Sequence, residues 1–195
     1  INRHIRNTMD KKNVSDSLFM IEFAEQTQPT FLAQKNKDWV LVGEKNDYFK
    51  YLIDLFNRNA EHNAIISAKT NYIAGKGLSY DNTKVEDIKQ QAKLDAFIDR
   101  ANDYQSWNDV LPLMTIDFEL FNGYALQVIY GSGGKVTDIY HLEFSKLRIS
   151  KDGKKAYYCN NWYQSKPEND PSFASYPLYT DEQKTGTAIF YYKVH

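Results

Sequence analysis

The segment from Asn108 to Ser150, NDVLPLMTIDFELFNGYALQVIYGSGGKVTDIYHLEFSKLRIS, constrains the fold more than any other stretch of the chain. Val110, Leu111, Leu113, Met114, Ile116, Phe118, Leu120 and Phe121 place apolar side chains around most of a helix, which predicts a central rather than a surface helix. Asn108 or Asp109 can accept hydrogen bonds from its first free N–H groups. Pro112 falls in the first turn or just after it, where a missing N–H does least harm. Asn122-Gly123 ends the helix, with Gly123 suited to a left-handed cap. The period then changes to two: Tyr124, Leu126, Val128 and Tyr130 alternate with Ala125, Gln127 and Ile129. Gly131-Ser132-Gly133-Gly134 turns the chain, and Val136 to Leu142 returns as a second strand. A phosphate-cradling loop would need a helix directly after the glycines, and a strand follows instead.

Around this unit the pattern continues in short elements. Ile1 to Asp16 is polar, with Arg3, Arg6, Lys11 and Lys12. It reads as a solvated arm, or as a basic arm able to touch nucleic acid or a neighbouring subunit. Leu18 to Phe23 has the composition of a short strand, and Gln26 to Lys37 that of a loop. Trp39 to Val42 reads as a strand or a docking segment. Asp47 is placed to cap a helix carrying Tyr51, Leu52, Leu55 and Phe56, which weakens at Asn57 to Asn59. A second helix runs from about Glu61 to Ala74, with Ala64, Ile65, Ala68 and Tyr72 in one stripe flanked by Ile66 and Ile73. Gly75-Lys76-Gly77 stops it. Thr83 and Glu86 have capping-box spacing for a third helix reaching about Asn102. Lys151-Asp152-Gly153-Lys154 predicts a tight hairpin between Leu147–Ser150 and Ala156–Tyr158. Residues 160–179, with Pro167, Pro171 and Pro177, read as a surface excursion, and Thr187 to Val194 as a final strand.

The segments of 47–161 carry a resemblance. A helix ending in FNGYALQVIY, a glycine turn with GKV, then IYHLEFSKLRI and an SKDGK turn resemble the portal proteins of tailed bacteriophages. Upstream, EHNAIISAKTNYIAGKGL is similar to the helix that precedes this unit in that family. The resemblance implies an α+β fold of helices packed against antiparallel β-hairpins, a portal wing-like domain. It implies three parts: an arm with short strands over 1–46, the wing-like core over 47–161, and a Pro- and Tyr-rich excursion with a last strand over 162–195. It further implies a structural role in a ring at the capsid vertex, without enzymatic activity. The expected partners are other portal subunits, the major capsid protein, terminase, and tail or adaptor proteins, with double-stranded DNA passing through the channel. The expected location is the virion, and the host cytoplasm during assembly. Nothing after Asn161 resembles the family's stem, clip or crown, so the chain is expected to be truncated and monomeric or weakly associated by itself.

Composition agrees with a packed scaffold. The 195 residues are 42% hydrophobic and 25% charged, enough for a core. A net charge of -1 excludes the strongly basic footprint of a dedicated nucleic-acid binder, though not a local basic patch. No run of about 18 apolar residues is present, so no membrane span is expected. No secretory signal is expected either. The fifteen tyrosines suit half-wet sheet faces and subunit contacts.

Candidate chemistry is sparse. Cys159 is the single cysteine, so it forms no internal disulfide, and no adjacent His or basic cluster makes it a nucleophile. Of four histidines, His4 and His195 lie at the ends. His141 and Glu143 are two apart on a strand and share a face. They read either as a carboxylate–imidazole pair for acid–base or metal chemistry, or as a hydrogen-bonded pair at a sheet edge. Asp117 and Glu119 point about 200° apart on their helix. Asp117 is expected at an exposed seam or in an ion pair with Lys or Arg. Tyr157, Tyr158, Trp162 and Tyr163 near Lys154 and Lys155 suit either single-strand stacking or a hairpin with a buried aromatic face. No catalytic residue, cofactor ligand or metal ligand is therefore assigned. The rival readings are a small hydrolase or metal-binding enzyme using His141 and Glu143, and an adaptor or binding module.

Overall fold

The computed structural model describes residues 31–34 and 37–194, so the basic arm, the Leu18 to Phe23 segment, His4 and His195 lie outside the described residues. The order is β1 (Phe31–Ala33), β2 (Val40–Val42), α1 (Tyr48–Arg58), α2 (Ala60–Ala74), α3 (Ile88–Asp99), α4 (Trp107–Phe121), β3 (Gly123–Tyr130), β4 (Val136–Leu142), β5 (Leu147–Ile149), β6 (Lys155–Tyr158), β7 (Ala174–Pro177) and β8 (Thr187–Lys193). The chain is α+β: four helices pack with antiparallel sheets ordered β1-β2, β4-β3-β8 and β5-β6-β7.

The central sheet holds the molecule together because β3 is covered on both faces. Tyr124, Leu126 and Val128 stand opposite Tyr192, Phe190 and Ala188 of β8, while Leu126 and Val128 face His141 and Ile139 of β4. This side packs on α4, where Val110, Ala101 and Leu126 are buried among Trp107, Met114 and Phe190. Ala125 and Ile189 join the opposite side, with Phe49 of α1, Phe121, Phe144, Leu147 and Ala156. Full burial of a side chain such as Val110 contributes about 1.5–3 kcal/mol. α4 is thus the shared floor of two layers, with the sheet on one side and α2 on the other.

Several local expectations are corrected. α4 is entered through Ser106, whose N–H donates to the Asp109 carboxylate at 2.8 Å. Asn108 instead accepts the Leu78 N–H at 2.7 Å and ties the loop after α2 to α4. The left-handed residue after α4 is Asn122 (φ 56°), not Gly123. Gly123 is needed for space: a Cβ there would lie 2.6 Å from the Phe144 ring and 2.6 Å from the Tyr192 carbonyl oxygen. The Thr83–Glu86 box does not form. Asp81 caps a short 3-10 turn at 82–84, and Asp87 caps α3, accepting the Lys89 N–H at 2.8 Å. Asp47 stands at the head of α1 without a side-chain capping bond.

α2 ends at Ala74 as its glycines demand, but its buried residues are Ile66, Thr70 and Ala74. Ile65, Tyr72 and Ile73 are exposed. The helix is apolar on two sides, and α4 takes only one. The presumed loop before Trp39 includes β1, paired in register with β2 (Leu32 opposite Leu41). The excursion after Asn160 is partly ordered into the core. β7 pairs with β6, placing Tyr176 opposite Ala156, and Trp162 is buried.

Candidate functional site

Two buried polar centres lie where the layers meet. The first joins α4 to β4 and the turn after it. Asp117 comes from the face of α4 that meets the sheet, where an acid must find donors. Its Oδ2 lies 2.8 Å from His141 Nε2 and accepts the Phe144 N–H at 3.0 Å. Burial drives the Asp117 carboxyl above its usual range, and the bonds from His141 and Phe144 pull the other way. Asp117 is therefore neither at an exposed seam nor paired with Lys or Arg. Its partner is a histidine 24 residues away.

His141 and Glu143 do not form a pair. His141 turns inward to Asp117, and the exposed Glu143 bonds Lys146 at 2.8 Å. The Asp117–His141 pair is largely shielded from water, with side chains 9% and 10% exposed. Among the described residues, no group of three or more His, Cys, Asp or Glu gathers as a metal site. Glu119, on another side of α4, pairs with Lys69 of α2.

The second centre is Arg148 on β5, only 1% exposed. Its Nε donates to Asn46 Oδ1 at 2.5 Å. Nη1 donates to the carbonyls of Ser145 (2.9 Å) and Leu147 (2.7 Å), and Nη2 to the Asn46 carbonyl at 3.3 Å. The guanidinium carbon lies 5.0 Å from the Phe49 and Trp162 ring centroids. Among the described residues no carboxylate pairs with it; neutral oxygens and ring faces hold the charge. Burial pushes its pKa down to about 10, so it stays cationic at neutral pH. Nearby, burial and the Arg148 charge push Lys193 down to about 8, with its Nζ 3.9 Å from the Phe31 ring centroid. Four of the five Arg148 N–H donors are bonded to protein oxygens and two rings flank its charge, so this buried centre acts as a structural pin.

The aromatic string divides: Trp162 is buried and Tyr157 half-buried in one cluster around Trp39, Tyr158 packs on the central core, and Tyr163 is exposed. Trp39 sits 5.5–5.6 Å from Tyr157, Trp162 and Phe173 between ring centroids, and the Trp162 N–H donates to the Lys146 carbonyl at 2.8 Å. Cys159 is fully buried in the same cluster, and desolvation raises its pKa. A pocket of about 250 Å³ lies beside the β5–β6 turn, lined by Asp38, Ser150, Lys151, Asp152, Lys155 and Tyr157. The Ser150 hydroxyl is already bonded to Asp152 at 2.5 Å and to the Lys155 N–H at 2.9 Å, so the polar atoms there serve the turn itself. Neither polar centre was legible as such beforehand, since each joins residues from separate elements. The apolar interruption at Asp117 was the only advance signal.

No protein-family model matches the chain, and no curated protein matches it by sequence. Among solved structures, the fold is similar to a chain in the neck of an empty GTA particle computed with C6 symmetry. The TM-score is 0.56 and the identity 11%, over 87% of this chain and 40% of the other. The chain thus spans less than half the length of the one it matches, and at this identity the likeness is one of fold.

Proposed function

We propose that this chain is a structural, non-catalytic part of the neck between head and tail of a phage-like particle, and within it the wing portion of a portal subunit. The observation that carries this reading is the likeness of fold over 87% of the chain to a neck component. It joins two supports: the unit α4–Gly123–β3–β4, whose order the portal resemblance requires, and the buried polar groups, which are consumed in joining layers. On this reading 47–161 is the wing-like core, 1–46 an arm, and 162–195 an excursion that returns through β8. Like copies stand side by side around the channel, capsid, terminase and tail components dock on the assembled ring, and double-stranded DNA passes through it. A near-neutral surface suits that passage, because tight phosphate binding would hold the DNA in place.

The test is to locate the protein in particles. Tagged at an exposed turn such as 131–134 and imaged by cryo-electron microscopy, it should appear at a single vertex between head and tail. Label spread over the capsid, or absent from purified particles, refutes the proposal. The rival hydrolase reading finds no support in the geometry, since His141 and Glu143 are each committed to another partner.

A further inference from the structure

Along β8, Ile189, Tyr191 and Lys193 alternate with Ala188, Phe190 and Tyr192, so Lys193 stands on the face that carries Ile189 and Tyr191 into the core. An apolar residue suits such a position, yet a half-buried lysine holds it. Its Nζ lies 3.9 Å from the Phe31 ring centroid and 5.9 Å from that of Phe49. The Arg148 guanidinium lies 5.0 Å from the same Phe49 ring, so two cations share one aromatic side chain. Like charges in a desolvated setting repel more strongly than in water. Among the described residues, no carboxylate and no other hydrogen-bond acceptor meets the Lys193 ammonium. Tyr191, beside Arg148, is held neutral by burial and adds no negative charge. The ring faces take up part of the Lys193 charge but leave its N–H donors without an oxygen. Arg148 differs, since four of its donors reach protein oxygens.

We propose that Lys193, with the Phe31 ring beside it, is a binding site for one carboxylate carried on a hydrocarbon stem. The carboxylate supplies the acceptor that the ammonium lacks and offsets the repulsion between Lys193 and Arg148. Phe31, 47% exposed, gives the stem an apolar wall. Chloride and phosphate match the charge but have no stem to lay on the ring, and phosphate, with more charge, loses more hydration on entering an apolar setting. The site belongs to this fold alone and does not depend on the neck reading.

The test is NMR of the full chain with carbon-labelled lysine side chains, titrated at neutral pH and constant ionic strength with butyrate, acetate, phosphate and chloride. The Lys193 signal is assigned by its loss in Lys193→Gln. Butyrate should move it saturably with a midpoint of roughly 1–10 mM, the range of a single ion pair with one apolar contact. Acetate should act more weakly, and phosphate and chloride should not saturate. With butyrate bound, the Lys193 titration midpoint should rise from about 8, because an anion favours the charged form. Phe31→Ala should bind acetate as before and lose the advantage of butyrate, with its melting recorded to show that it folds. A Lys193 signal that follows ionic strength alone, moves no more than the other lysines, or answers phosphate better than butyrate overturns the site. An undiminished preference for butyrate in Phe31→Ala overturns the part given to the ring.

Discussion

Gly123 offers a sharp test, because two physical reasons for a glycine make different demands there. If it served as a left-handed cap, Asn would replace it at little cost. In the structure Asn122 occupies that conformation and Gly123 does not, so Gly123 is required only for room. An added Cβ would stand 2.6 Å from Phe144 Cζ and 2.6 Å from the Tyr192 carbonyl oxygen, about 1 Å inside ordinary contact. Phe144 is fully buried against Phe49, Phe121 and Tyr191, and the carbonyl belongs to β8, so neither yields easily. Overpacking of this kind costs about 1–3 kcal/mol, here at the upper end. The stiffer unfolded chain returns about 0.4–1 kcal/mol. Gly123→Ala should therefore lose about 2 kcal/mol in urea unfolding, or about 4–8 °C in melting for a chain of this length. Gly133→Ala is the control. Nothing lies within 4 Å of its Cβ position and its φ is not left-handed, so the same substitution should be neutral or stabilise by about 0.5 kcal/mol. Gly123→Asn should be worse than Gly123→Ala. A Gly123→Ala protein as stable as the parent, or a Gly123→Asn protein that recovers stability, refutes the steric account.

The buried polar centres and the late strand give further expectations. Asp117→Ala strands the Phe144 N–H and His141 and should cost about 2–4 kcal/mol in urea unfolding; Asp117→Asn keeps an oxygen acceptor for both and should lose less than half as much. Arg148→Ala leaves a cavity between Phe49 and Trp162 and orphans oxygens on Asn46, Ser145 and Leu147, for a loss of about 3–5 kcal/mol. Arg148→Lys, lacking the fork that serves three residues, should recover only part of it, and equal stability of all three proteins would rule out the pin. Lys193 has its pKa depressed from 10.5 to about 8, so the fold favours its neutral form. The stability attached to that form is present above 10.5 and lost as pH falls through about 8. Lys193→Met should therefore gain melting temperature relative to the parent as pH drops from 10.5 to 8, then hold a constant advantage below; a difference independent of pH would contradict the shift.

What the sequence reveals about this fold divides by distance along the chain. The alternation after Asn122, the glycine turn, Val136 as the start of the return strand and Asp152-Gly153 as a hairpin are all local signals, and the structure has them where they are expected. Asp117 with His141 is 24 residues apart, and Arg148 with Asn46 is 102. No period or spacing connects such pairs; only the stacking of layers does. The same holds for β7, whose place beside β6 depends on Trp162 and Phe173 closing over Trp39. α2 is a different case. Its stripe of Ala64, Ile65, Ala68 and Tyr72 was correctly read as apolar, yet the fold buries the other side, because Ile66, Thr70 and Ala74 also suit a helix contact and Lys69 finds Glu119 when that side faces α4. Periodicity counts apolar faces without saying which neighbour covers each. A single chain satisfies one face of such a helix. The second stays in water, with Tyr72 92% and Ile65 60% exposed, where apolar surface is unfavourable.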